Sequence, residues 1–250
     1  MKPISFLFCL LSGGGCLLPP NSTKASADSP TSNSFVTVGD AGNAADTRVG
    51  ADDPSRRYGA VGYEFQIQKF EFTNVEYVDF LNSVGGTNPN GIYSSSMGSD
   101  VRGGITQSGA SPNFTYAVKA NMGDKPVNYV SWFDAARVAN WLHNGRSNDP
   151  ALLERGAYTL NNGMGGVGYN KNEGATYWIP SEDEWYKAAY YKGGGVSAGY
   201  WLYPRFTPLQ TDKSPMFTRV KGHFSISSSW LQGPFWRGTS KWQIELGRLG

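Results

Sequence analysis

Three consecutive acids, Glu182, Asp183 and Glu184, are the densest group of potential proton carriers or cation ligands in the chain. Carboxylates this close could bind a metal or form an acid/base pair. The residues around them favour another role. Ser181 lies three positions before Glu184, and the same serine-x-x-acid spacing recurs at Ser131 and Asp134. Thr73 and Glu76 repeat it a third time. This spacing is the sequence mark of a capping box, in which hydroxyl and carboxylate satisfy the bare N–H groups of a helix start. Acids there also face the positive end of the helix dipole. Ser131 and Ser181 are therefore read as caps rather than nucleophiles.

The other chemically able residues are sparse. The chain has two histidines, His143 and His223, and two cysteines, Cys9 and Cys16. His143 falls at the end of a helical segment, where a protonated imidazole would favour the negative helix terminus. His223 has no partner motif. No serine, cysteine or lysine is paired in sequence with a base that could activate it.

The N-terminus reads as an export leader. Lys2 supplies a positive start, Ile4-Ser-Phe-Leu-Phe-Cys-Leu-Leu11 an apolar run, and Ala25-Ser-Ala27 a small-residue cleavage pattern. The run is too short to span a bilayer, so the chain is expected to be secreted, or periplasmic and cell-envelope associated, and not membrane-spanning. Loss of residues 1–27 would remove both cysteines, and with them disulfides, thiolate metal sites and cysteine nucleophiles. It would also remove Lys2 and Lys24 but no acid, leaving 20 basic against 20 acidic residues. That balance carries no basic footprint for nucleic acid.

The positioning elements follow from periodicity. Phe35-Val-Thr-Val38 alternates as a first strand, and residues 63–72 alternate as a second before the phase slips near Lys69. From the Thr73 cap, Tyr77, Phe80, Leu81 and Val84 form one apolar stripe, closed by Gly85-Gly86. Residues 86–125 form a long Gly/Ser/Asn-rich excursion, the better candidate for recognition because loops on a rigid scaffold usually carry binding. The Ser131 helix presents Ala135, Val138, Ala139 and Leu142, with Gly145 as its stop. The Ser181 helix presents Trp185, Ala188 and Ala189 as its buried side and stops at Gly193-Gly-Gly195. Trp132, Trp141, Trp178 and Trp185 are read as core, with an aromatic ligand groove as the alternative. Past Pro204 the texture changes: residues 205–250 hold seven basic and two acidic residues without clear period. Only Lys241-Trp-Gln-Ile-Glu-Leu246 is strand-like there.

Three ordered segments resemble one family. They are Phe65-Gln-Ile-Gln-Lys-Phe-Glu-Phe-Thr-Asn-Val-Glu-Tyr-Val-Asp-Phe80, then Pro126-Val-Asn-Tyr-Val-Ser-Trp-Phe-Asp-Ala-Ala with Asn140-Trp-Leu142, and then Ile179-Pro-Ser-Glu-Asp-Glu-Trp-Tyr-Lys-Ala-Ala189. Together they resemble the formylglycine-generating enzyme/sulfatase-modifying-factor family. Val36-Thr-Val-Gly-Asp-Ala-Gly-Asn-Ala-Ala-Asp46 looks like its exported bacterial members. The resemblance implies an α+β, C-type-lectin-like fold with few short helices, twisted antiparallel strands and long loops. It places the domain at residues 35–204, incomplete at its C-terminus, with 205–250 a divergent or frameshifted tail.

The departures from the family shape the functional expectation. Its enzymatic members place a copper-binding cysteine pair in the C-terminal third, and no cysteine lies there in this chain. The late G-N-V-W-E-W and R-G-G-S segments are missing after residue 204, as is the histidine-rich motif of the iron-dependent relatives. Calcium loops are not carried over either. The expectation is a non-catalytic exported protein with a binding or envelope role, no catalytic, cofactor or metal residues, no cofactor, and an unidentified protein, peptide or glycan ligand. The alternative is an oxidase that makes formylglycine from a sulfatase cysteine.

Overall fold

The computed structural model describes residues 9–10, 35–48, 54–162 and 170–202. The rest of the leader, Cys16, His223, the 241–246 segment and the whole of 205–250 lie outside the described residues.

Two sheets carry the fold. The first has four strands in the order β2-β3-β1-β6, all pairs antiparallel: β1 is Cys9–Leu10, β2 Phe35–Val38, β3 Phe65–Gln68 and β6 Tyr177–Trp178. β1 lies inside the segment read as a leader, and its two residues pair with Ile67 and Gln66 on one side and with Trp178 and Tyr177 on the other. The second sheet is a hairpin of β4 (Ile105–Ser108) and β5 (Thr115–Val118). The helices are α1 (Asn74–Val84), the single turn α2 (Ser96–Ser99), α3 (Trp132–His143) and α4 (Glu182–Tyr190).

The strand expected over 63–72 is shorter. Only Phe65–Gln68 joins the ladder, with Phe65 and Ile67 in the core. Tyr63 and Phe70 stay exposed, at 40% and 45%. Past the slip the chain re-enters the core at Phe72, whose carbonyl accepts from the Val127 N–H at 2.9 Å.

All three capping boxes form, with Thr73, Ser131 and Ser181 as N-caps of α1, α3 and α4. Each of Thr73→Ala, Ser131→Ala and Ser181→Ala is expected to cost about 1 kcal/mol in urea unfolding. A loss near zero at all three would show that the boxes do not hold the helix starts. α3 ends in a Schellman arrangement: Gly145, at φ +68°, donates to the Leu142 carbonyl at 3.1 Å, and Arg146 to that of Trp141 at 2.8 Å.

α1 buries its predicted stripe. α3 is buried almost all round, from Phe133 to Leu142, because it packs against β6 on one side and the 3₁₀ turn Pro150–Glu154 on another. α4 differs from the expectation. Its buried positions are Glu184 and Lys187, while Trp185, Ala188 and Ala189 are only partly covered. Glu184 turns inward to cap its own helix, which rotates Lys187 inward one turn later. Lys187 Nζ then donates to the Asp40 carbonyl at 3.0 Å. The helix also stops at Tyr190, ahead of the glycines, because extended Tyr191 bridges to Tyr200.

Much of the rest is loop, and asparagine side chains hold it in place of strand ladders. Asn74 donates to the carbonyls of Met122 and Lys125. Asn82 exchanges both amide bonds with the Tyr116 backbone, and Asn88 does the same with Tyr93. Asn140, fully buried on α3, donates to Leu153 and Tyr158 and accepts from Tyr158 N–H at 2.7 Å. A carboxamide offers donor and acceptor side by side, so it can satisfy backbone that no neighbouring strand reaches. The 86–125 excursion is ordered this way, with Ile92, Met97, Ile105 and Tyr116 in the core.

Candidate functional site

The acid triplet splits in three directions. Glu182 pairs with Arg56 at 3.0 Å, Asp183 accepts from the Gly59 N–H at 2.8 Å, and Glu184 points into the core. The Glu184 carboxylate accepts from Ser181 N–H at 2.7 Å, from Trp178 Nε1 at 3.0 and 3.1 Å, from the Tyr63 hydroxyl, and from Lys171 Nζ at 3.2 Å. Lys171 also sits 3.7 Å from the Trp178 ring centre. Burial pushes the Glu184 carboxyl up, but these hydrogen bonds and the Lys171 charge together hold it below its ordinary value. A carboxylate with every lone pair engaged is neither a free base nor an open metal ligand. It closes β6, α4 and the loop at 170–172 into one unit.

A second buried ion cluster centres on Arg137 of α3. The guanidinium is about 1% exposed and pairs with Glu154 at 2.7 Å, with Asp134 at 3.7 Å one turn back. Glu154 also accepts from Asn90 Nδ2 at 2.9 Å and from Asn162 N–H at 2.6 Å. Periodicity gives no sign of this residue, because an arginine in a helix is ordinarily a surface residue.

His143 is the last residue of α3. Its Nδ1 accepts from the Thr176 backbone N–H at 3.1 Å and contacts Thr176 Oγ1 at 2.8 Å. The ring ties the end of α3 to the segment before β6. Trp141 and Trp178 are core, at 2% and 1% exposed. Trp132 and Trp185 are half-covered, with Trp132 edge-on to Phe133 and Tyr158.

A cleft among the described residues lies elsewhere. It holds about 600 Å³ and opens between residues 44–48 and residues 192–202. Its lining includes Ala44, Asp46, Arg48, Lys192, Val196 and Tyr200. Asp46 is 5% exposed and fully engaged: Arg48 meets it through Nε at 2.9 Å and Nη2 at 2.5 Å, and the Tyr186 hydroxyl donates at 2.8 Å. Burial raises the Asp46 carboxyl, but the Arg48 and Tyr186 bonds hold it below its usual value. Burial and Asp46 together push the Tyr186 hydroxyl well up, so it stays a donor. Arg48 Nη2 also reaches the Trp201 carbonyl at 2.6 Å.

The wall is as firmly set as the floor. The Tyr200 hydroxyl lies within 2.6 to 3.0 Å of Asn43 Nδ2 and the Gly59 and Ala44 carbonyls. Its ring packs on Tyr186 and Tyr191, and Tyr186 stacks on Tyr190 at 4.6 Å. Sequence reasoning missed this site, because its two sides are some 150 residues apart in the chain. The one available signal was the Gly-Asp-x-Gly-Asn-x-Ala-Asp run that ends at Asp46, whose Asn43 and Asp46 are both buried polar residues.

The segments at 65–80, 126–142 and 179–189 now stand together as β3–α1, α3 and β6–α4 around one core. The model of the sulfatase-modifying factor enzyme 1-like domain matches residues 21–233. The chain belongs to that family. No curated protein and no solved structure matches it.

The sulfatase-modifying-factor family implies a C-type-lectin-like fold, with which the few helices and short antiparallel strands are compatible. Its oxidase chemistry is a separate matter. A copper(I) centre calls for soft thiolate ligands. The two cysteines of this sulfatase-modifying-factor-like chain are Cys9, in β1, and Cys16. Cys16 lies outside the described residues, and among the described residues no three His, Cys, Asp or Glu side chains converge as a metal site. The described residues do not fit that centre. Among the described residues, no helix is long and apolar enough to cross a membrane.

Proposed function

We propose that this protein is an exported, non-catalytic member of the sulfatase-modifying-factor family that binds a ligand in the cell envelope or outside the cell. The leader-like segment 1–27 supports export. The cleft at 44–48 and 192–202 supports binding, and one observation carries the reading. The carboxylate lining the cleft, Asp46, has its oxygens engaged by Arg48 and Tyr186, so it is not available as a base. Ser197 lines the cleft too, but among the described lining residues there is no histidine or free carboxylate to activate its hydroxyl. Rigid walls with engaged acids suit recognition rather than turnover.

The formylglycine-forming alternative rests on family membership and is opposed by the cysteine positions. One experiment separates the two readings. The purified protein, loaded with copper, is incubated with a sulfatase-derived cysteine peptide, and in parallel is screened by ligand-observed NMR against small acids, amines and neutral sugars. The expected result is no formylglycine, and at least one ligand whose signal disappears in Val196→Trp, because Val196 is half exposed on the cleft wall. Stoichiometric formylglycine would overturn the reading. So would hits that are all indifferent to Val196→Trp.

A further inference from the structure

We propose that the cleft is a carboxylate site for a small acid that carries an apolar group next to its carboxylate. This deepens the binding reading above and rests on it. The argument starts from charge. Among the described residues, the charged side chains that line the cleft are Asp46, Arg48 and Lys192. The negative one is buried, with its side chain 6% exposed, and is already bound. The two positive ones are only partly covered. The Arg48 side chain is 37% exposed, and its contacts to Asp46 and Trp201 run through Nε and Nη2, leaving Nη1 without a partner among the described residues. Lys192 Nζ lies 5.0 Å from the Trp201 ring centre and has no carboxylate partner among the described residues. The cleft therefore presents a guanidinium edge and an ammonium, with the local counter-charge turned inward.

Asp46 does more than neutralise. By gripping Arg48 through two nitrogens, with Trp201 holding one of them, it fixes the plane of the guanidinium before any ligand arrives. A preset donor loses less conformational freedom on binding than a free side chain does. Charge-assisted N–H···O⁻ bonds to a planar carboxylate are the contacts such an edge makes best.

The remaining lining sets what accompanies the anion. Ala44, Ala45, Val196, Leu202 and the Tyr200 ring supply apolar surface. Val196 and Leu202 are 50% and 65% exposed, with little of the domain covering them. The Tyr200 hydroxyl is occupied below, so the residue offers ring rather than oxygen. A phosphate or sulfate would need more donors than one guanidinium edge and one ammonium provide, and would leave the apolar wall bare. A carboxylate with a short aliphatic or aryl group uses both parts. The same chemistry occurs in a free organic acid and in the C-terminal residue of a peptide.

The test is calorimetric titration of the full chain with four probes: 4-methylpentanoate, acetyl-Ala-Leu with a free carboxylate, the same peptide as its C-terminal amide, and inorganic phosphate. Binding of at least one carboxylate is expected. The peptide amide and phosphate should bind at least about tenfold more weakly, the loss that follows from removing one charge-assisted contact. Lys192→Met should weaken the carboxylate by about tenfold, with its thermal unfolding unchanged. Val196→Glu, which adds a negative charge to the wall, should abolish binding. Raising the salt should weaken it as well. If the peptide acid binds and 4-methylpentanoate does not, the source is a chain terminus, and the reverse points to a free acid. Equal binding of acid and amide overturns the proposal, as does indifference to both variants. A neutral sugar that binds and is lost in Val196→Trp, with no carboxylate bound, overturns the carboxylate assignment but leaves the binding reading intact. No cleft ligand of any kind overturns both.

Discussion

Arg137→Met is expected to destabilise the protein by about 3–5 kcal/mol, the usual cost of removing one partner from a buried ion pair. For a domain whose whole stability is about 5–15 kcal/mol this is a large share. The reason is local. Glu154 and Asp134 face Arg137 with side chains only 19% and 11% exposed. Without the guanidinium, both carboxylates would have to stay charged in poor solvation or take up protons. Glu154 keeps its bonds from Asn90 and Asn162, which places the expected loss toward the lower end of the range. Asp134 keeps its capping bonds to Ser131, but burial already raises its carboxyl above the ordinary value. Urea unfolding of Arg137→Met, Glu154→Gln and the double variant would measure the coupling between the pair. A single-variant loss under about 0.5 kcal/mol, the range of an ordinary surface change, would show that the cluster does not hold α3 to the 150–154 turn.

Glu184→Gln is the second large effect, at about 3 kcal/mol near neutral pH. The carboxylate accepts on both oxygens, from an indole, a backbone amide, a phenol and an ammonium. A glutamine amide keeps one acceptor and turns an NH₂ toward groups that are themselves donors, so at least one buried N–H loses its partner. The effect should depend on pH with a definite sign. The Glu184 carboxyl is held below its ordinary 4.5 in the folded chain. Its contribution is therefore complete above pH 4.5 and is lost as pH falls through the folded value. Glu76 and Asp134, in the other two capping boxes, are raised above 4.5 and 3.8, with burial the leading cause. Their contribution is present below those values and is lost as pH rises through the folded ones. The stability gap between wild type and Glu184→Gln should thus narrow as the solution is acidified below pH 4.5. A gap that is constant from neutrality into acid would mean that the carboxylate is not the charged centre of this network.

The three capping acids show how far local spacing carries. Thr73/Glu76, Ser131/Asp134 and Ser181/Glu184 share one pattern and form the same box. Only Glu184 also receives Lys171, Tyr63 and Trp178, and only there does the carboxyl end up below its usual value. Nothing within three residues of Glu184 announces those partners. For the same reason the apolar residues of α4 misled: Trp185 and the alanines mark a helical face, but the buried face is set by Glu184, which caps its own helix and takes partners from other segments.

By itself, the sequence determined the helix starts, the α1 stripe, the α+β character, the family, and the lack of any cysteine beyond Cys16. Each of these depends on residue identity, or on hydrogen bonds and contacts that repeat within a few positions, where the backbone geometry is known in advance. Tertiary structure decided the link of His143 to Thr176, the burial of Arg137 and Lys187, the asparagine ties that order the 86–125 excursion, and the cleft where Arg48 meets Trp201. The Arg137, His143, Lys187 and Arg48 pairings join residues from 17 to 153 positions apart. A contact at that separation depends on the path of every turn between its partners, and no local period records that path.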